Sequence, residues 1–68
     1  MVLVESSNIK SIDFNSEREC LVVEFHSGRT YQYDKVSQTV YDEFVNSESK
    51  GRYFNQYILG KYEATRMV

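Results

Sequence analysis

Cys20-Leu21-Val22-Val23-Glu24-Phe25-His26-Ser27-Gly28-Arg29-Thr30-Tyr31-Gln32-Tyr33-Asp34 decides the fold. Leu21, Val23 and Phe25 alternate onto one face of a strand, and Cys20, Val22, Glu24 and His26 onto the other. Ser27-Gly28 then separates two alternating runs, which is the spacing of a two-residue hairpin with glycine at positive φ. The returning run places Tyr31 and Tyr33 on one side and Thr30 and Gln32 on the other. Such a pair of strands needs a third neighbour and a cover for its apolar face.

Both lie close by in the chain. Upstream, Ile12 and Phe14 alternate onto the core face, with Lys10 assigned beside them and Asp13 pointing away. Asn15-Ser16-Glu17-Arg18-Glu19 reads as the turn that joins this strand to the next, since Asn and Ser satisfy backbone groups locally. The first eight residues, ending Glu5-Ser6-Ser7-Asn8, read as a loop. Downstream, Val36-Ser37 suits a hydrophobic staple and an N-cap, with Tyr41 at the stapling position. Val40, Tyr41, Phe44 and Val45 follow at helical spacing. Asn46-Ser47-Glu48-Ser49 breaks that helix. Ser49 caps a second one running through Phe54, Tyr57 and Ile58, and Gly60 is placed to end it. The expected architecture is a single α+β domain over residues 1–68, ordered β-β-β-α-α. It is a three-stranded antiparallel β-meander covered on one face by two C-terminal helices.

Composition narrows the function classes. The chain has 68 residues, 41% hydrophobic and 26% charged, with a net charge of −2, as in an ordinary globular chain. No apolar run approaches the length of a membrane span, and the N-terminal residues lack the pattern of a secretory signal. The one cysteine, Cys20, excludes an internal disulfide and a cysteine-based zinc site, and fits a reducing compartment. A domain of this size rarely stores more than about 3–5 kcal/mol in its core. Carving a catalytic pocket from so small a core is difficult, which argues against an enzyme. No residues contradict that expectation. Cys20 and His26 share a strand face but stand roughly 20 Å apart along it, too far for a nucleophile and its base. Asp42 and Glu43 diverge around a helix, His26 has no companion metal ligand, and three glycines make no phosphate loop. No metal and no cofactor are expected.

In the second half, Tyr31-x-Tyr33, Val36 and Ser49-Lys50-Gly51-Arg52-Tyr53-Phe54-Asn55 stand in an order that resembles the KTSC domain. The Ser6-Ser7-x-Ile9 opening and Phe25-x-Ser27-Gly28 suit the same pattern, so the resemblance spans roughly residues 4–62. Ser37 departs from it, standing where family members often carry proline. The resemblance implies a cytoplasmic bacterial or phage protein, since this small module occurs free-standing and at the C-terminus of some lysyl-tRNA synthetases. It implies no catalytic mechanism. RNA is the ligand that the synthetase context suggests.

Charge is distributed unevenly in the same direction. Residues 1–48 carry a net of −5 and residues 49–68 a net of +3. In segment 49–62, Lys50, Arg52 and Lys61 interleave with Tyr53, Tyr57 and Tyr62. Cations that track phosphates beside rings that stack on bases are the means of holding single strands. The favoured ligand is therefore RNA or single-stranded nucleic acid, on Lys50, Arg52, Tyr53, Tyr57 and Lys61. Solvated charges around a buried aromatic face give the same composition without a ligand. A second reading is a protein-interaction module docking on a partner enzyme through this helix or the uncovered sheet face. A third is phosphate or nucleotide binding by Ser49, Lys50, Gly51 and Arg52 at the helix start. Against it, Ser49 serves as a plain N-cap and Gly51 relieves crowding against the sheet.

Overall fold

The sheet is antiparallel and its strands lie in chain order, joined by short turns from the first to the fourth and by the helical segment between the fourth and the fifth. Strands β1 (Val2–Leu3), β2 (Ile9–Asn15), β3 (Cys20–Phe25), β4 (Thr30–Tyr33) and β5 (Ala64–Arg66) lie side by side as β1-β2-β3-β4-β5. The computed structural model describes residues 2–4 and 6–68. Met1 and Glu5, which belong to the expected N-terminal loop, lie outside the described residues. Helix α1 (Gln38–Asn46) and helix α2 (Lys50–Tyr53) follow the meander, and α2 continues directly into a π-helical turn, Phe54–Ile58. Among the described residues no helix is long and apolar enough to cross a membrane.

The central meander and its helical cover stand as expected, with two strands added. β1 pairs along β2 and β5 along β4, so five strands replace three. Both additions escape a periodicity argument. β1 has two residues, and all three residues of β5 are exposed, so neither shows an alternation of burial. They leave the sheet with very short outer strands, one of the ways in which proteins blunt an edge.

Ile9, Ile12, Leu21, Val23 and Tyr33 of the sheet are buried against Val36, Phe44, Phe54 and Ile58. Ile9 and Ile12 are three apart, which regular alternation forbids. A shift in the β2–β3 register between Ile9 and Ser11 resolves this: Ile9 faces Phe25, whereas Ser11 faces Glu24. The bulge also corrects the placement of Lys10. Lys10 is exposed rather than on the core face, with Nζ 3.8 Å from Glu24 Oε2.

Turn and cap chemistry follows the sequence closely. Asn15 Oδ1 accepts from the backbone N–H groups of Glu17 and Arg18 at 3.0 and 3.1 Å. Ser37 Oγ accepts from Val40 N at 3.2 Å, with Val36 buried just ahead of it. The β3–β4 connection is longer than two residues. Gly28 N donates to the Phe25 carbonyl, Phe25 N donates to the Arg29 carbonyl, and Gly28 takes φ +94°. His26 thus belongs to the turn, and a turn followed by a left-handed glycine is the next commonest hairpin solution.

Ser49 caps α2 through Oγ, which accepts from Arg52 N at 3.2 Å. The helix then widens, and Leu59 N donates to the Phe54 carbonyl at 2.8 Å, five residues back. The wider turn seats both Phe54 and Ile58 in the core. Gly60 follows at φ +76° and turns the chain toward β5.

Candidate functional site

The expected binding residues fall on different parts of the surface, and the helix cover explains why. Phe54 and Ile58 face the sheet, so residues between and around them face outward. Tyr53 is half-buried. Its ring stacks on Phe44 with centroids 5.5 Å apart and 18° between planes, and its hydroxyl donates to Glu43 Oε1 at 2.9 Å. Desolvation first, and then the Glu43 carboxylate, push the Tyr53 phenol up to about 12. Tyr57 is 56% exposed, with its ring centroid 4.7 Å from that of Tyr53. Phe44, Tyr53 and Tyr57 therefore form a column of rings running from the core to solvent.

Arg52 is exposed, and its guanidinium has no hydrogen-bond or ionic partner among the described residues. It lines a shallow depression with Ser49, Gln56, Tyr53 and Tyr57, so the structure brings Arg52 and Tyr57 together. Glu48 stands at the same depression and tempers its charge. Lys50 is committed elsewhere. Its Nζ donates to the Ser47 carbonyl at 2.6 Å, satisfying backbone at the end of α1. Lys61 lies beyond Gly60 on an exposed turn and does not line this depression. At the helix start, Ser49 Oγ is occupied by its cap, which leaves Gly51 and Arg52 as the open members of that group.

Gly51 calls for a correction. A Cβ built there meets nothing nearer than Ser6 Oγ at 3.9 Å, an ordinary contact, so no crowding against the sheet requires glycine. Its φ is not positive either. The residue lines two depressions at once. One, a cleft of about 340 Å³, lies between the β3–β4 turn and the second helix, where Asn8, Phe25, Arg29, Tyr31, Phe54 and Asn55 also line it. The other runs past Arg52 and Gln56 along the same helix.

Asn8, Arg29, Asn55 and Gln56 were not singled out from sequence. Asn55 closes the quoted Ser49 to Asn55 motif, and that was the available signal. Nothing local marks Asn8 or Arg29, which reach the cleft only through the register of β2 on β3 and the turn after β3. His26 also borders the cleft, its Nε2 3.0 Å from the Ser6 carbonyl oxygen.

The opposite sheet face carries Cys20, Val22, Glu24 and Gln32, all partly exposed. Cys20 Sγ lies 3.7 Å from Asp34 Oδ1, which also accepts from Gln32 Nε2 at 3.0 Å. Desolvation and then Asp34 raise the Cys20 thiol above its ordinary value, opposite to the activation a nucleophile needs.

Comparison with known proteins identifies the family to which the fold belongs. The KTSC domain model matches residues 5–62. A lysine–tRNA ligase of Trichormus variabilis is 44% identical over 59 residues, covering 87% of this chain and 10% of the ligase. The chain thus spans about a tenth of the length of the curated ligases it matches. A protein of Stutzerimonas stutzeri is 38% identical over 55 residues, 81% of this chain and 78% of the other. The crystal structure of a KTSC domain protein from Yersinia pestis superposes with a TM-score of 0.92 at 34% identity, covering 97% of this chain and 93% of that one. The fold, the span of the family match and the full-length structural likeness agree: the chain belongs to the KTSC domain family.

Proposed function

We propose that this domain is a non-catalytic cytoplasmic binding module that holds RNA or another single-stranded nucleic acid on the outer face of its second helix. The observation that carries it is the half-exposed Tyr57 ring, backed by Tyr53 and Phe44, beside an Arg52 guanidinium without a partner among the described residues. Arg52 takes a phosphate, and a base stacks on Tyr57. Tyr53 serves as the rigid backing, since its hydroxyl and one ring face are already engaged. Lys61 adds a second cation farther along the strand, and Lys50 contributes only its nearby charge. The ligases that the chain resembles over a tenth of their length act, by name, on a tRNA, which favours RNA over DNA.

The test is salt dependence. Each phosphate contact releases counterions, so Arg52→Ala weakens binding to a single-stranded RNA and lowers the salt slope by about one. Equal affinity of both proteins at low salt would sink the assignment.

A second reading, docking on a protein, draws on the exposed apolar side chains Leu3, Leu59 and Met67. Pull-down from nuclease-treated lysate separates the two. A protein partner retained on wild type but lost from Leu59→Ser favours docking, and an empty eluate counts against it.

A further inference from the structure

The second helix presents three adjacent rows to solvent, and the nucleic-acid reading uses only part of them. Gly51, Arg52 and Tyr53 each stand four residues ahead of Asn55, Gln56 and Tyr57. Tyr53 and Tyr57 line the outer depression, Arg52 and Gln56 line the middle one as well, and Gly51 and Asn55 line the cleft against the β3–β4 turn. The depressions are consecutive. Outer and middle share Glu48, Ser49, Arg52 and Gln56, while middle and cleft share Ser7, Asn8, Gly51 and Asn55. A strand lying over Tyr57 and Arg52 thus has a continuous path into the cleft.

The lining of the cleft has a definite chemistry. Phe25 packs edge to face on Phe54 at 5.4 Å and on Tyr31 at 6.2 Å, giving an apolar aromatic wall. The carboxamides of Asn8 and Asn55 make no side-chain hydrogen bond among the described residues, and Arg29 has no acidic partner among them. Among the described residues no carboxylate lines the cleft, although the chain as a whole carries more acids than bases. Flat apolar surface, free amide donors and acceptors, and one unpaired cation complement a heteroaromatic ring that carries a phosphate. Asparagine matches the paired donor and acceptor on a base edge, and arginine matches phosphate. At about 340 Å³ the volume sits at the lower end of small-ligand sites, suited to a single nucleotide unit. Glycine at position 51 meets no steric or conformational demand of the fold, and it leaves bare backbone on the wall that the cleft and middle depression share.

We infer that the cleft is a nucleobase pocket, which takes one unstacked base of the bound strand with Asn55 and Asn8 at its hydrogen-bonding edge and Arg29 on the adjoining phosphate. The inference rests on the nucleic-acid reading above and gives it a source of base preference. Exposed stacking on Tyr57 tolerates any base. A lined pocket discriminates among them.

Amide-resolved NMR titration of the whole chain tests it with two probes. These are the four nucleoside monophosphates and a single-stranded RNA. The expected result is that one monophosphate shifts the amides of Asn8, Arg29 and Asn55 at least fivefold more tightly than the weakest. Gly51→Ala, which puts a methyl on the cleft wall, should weaken those shifts at least tenfold, as should Asn55→Ala should the glycine variant prove misfolded. Cleft amides unmoved by millimolar monophosphates overturn the pocket. So do equal shifts from inorganic phosphate alone. If RNA moves Arg52 and Tyr57 while the cleft stays unmoved by either probe, the pocket falls and the outer surface stands. If a monophosphate fills the cleft while RNA leaves Arg52 and Tyr57 unmoved, the pocket stands and the outer surface falls.

Discussion

Tyr53 lies flat against Phe44, with ring centroids 5.5 Å apart, and its hydroxyl reaches across to Glu43 of the same helix at 2.9 Å. Because α1 holds both partners, one side chain ties the start of the second helix to the first. It also fixes the ring against which Tyr57 leans.

Tyr53→Phe keeps the ring column and deletes the bond to Glu43, so it should cost about 1 kcal/mol near neutral pH. The phenol is raised in the folded state to about 12, by burial first and by Glu43 second. The proton is therefore held more tightly in the folded than in the unfolded chain. The stabilisation is complete below about pH 10, the ordinary tyrosine value, and fades as pH climbs toward 12. Urea melts of both proteins at pH 8 and pH 11 check this. The gap between them should narrow at the higher pH, and a constant gap would contradict the assignment.

Tyr57→Ala should separate binding from folding. The ring is more than half exposed, so thermal stability should change by no more than about 0.5 kcal/mol. RNA affinity should fall by about 1–3 kcal/mol, the worth of one stacked base. Calorimetric melting and a fluorescence titration of the same preparations measure the two quantities.

Ile58 and Leu59 are neighbours in sequence with opposite fates, 0% and 55% exposed. Ile58→Ala should cost about 2–5 kcal/mol, enough to unfold much of a domain holding about 3–5 kcal/mol in total. Leu59→Ala should stay within about 0.5 kcal/mol. Circular dichroism melts distinguish these outcomes, and a mild Ile58→Ala would mean the π-helical turn is seated differently.

Gly51→Ala should raise stability, by at most about 1 kcal/mol, because alanine is the better helix former and its Cβ has room. A lowered melting temperature would show that the backbone at this position needs glycine after all.

How much of this the chain displays in its sequence varies with the length of the interactions. Leu21, Val23, Phe25, Tyr31 and Tyr33 alternate over enough residues to announce their strands and their shared face. Ser37 and Ser49 act on backbone groups three residues away, so their caps are readable locally. Lys10 was misplaced because one bulged residue resets the period of β2, and only the pairing partner across the sheet reveals it. Ala64–Arg66 becomes a strand through a neighbour distant in sequence, Val2–Leu3 is only two residues long, and both bury too little to leave a pattern. The π-helical turn has no compositional mark, since it answers the spacing of Phe54 and Ile58 over the sheet. At the site, the mixture of cations and tyrosines in segment 49–62 was readable, but the exposure of Tyr57 beside Arg52 was not, since the apolar spacing of the helix runs through Tyr57. The engagement of Lys50 by the Ser47 carbonyl was not, and neither was the meeting of Asn8, Arg29 and Asn55, which depends on three separate elements.

The central claim is that a single-stranded nucleic acid binds along the outer rows of the second helix. Amide-resolved titration with a short single-stranded RNA, at low and at physiological salt, tests it most directly. The expected result is a salt-dependent set of shifts centred on Arg52, Gln56 and Tyr57, leaving Cys20, Val22 and Gln32 on the open sheet face unmoved. A spectrum unchanged at millimolar nucleotide, or shifts confined to that open face, would contradict it.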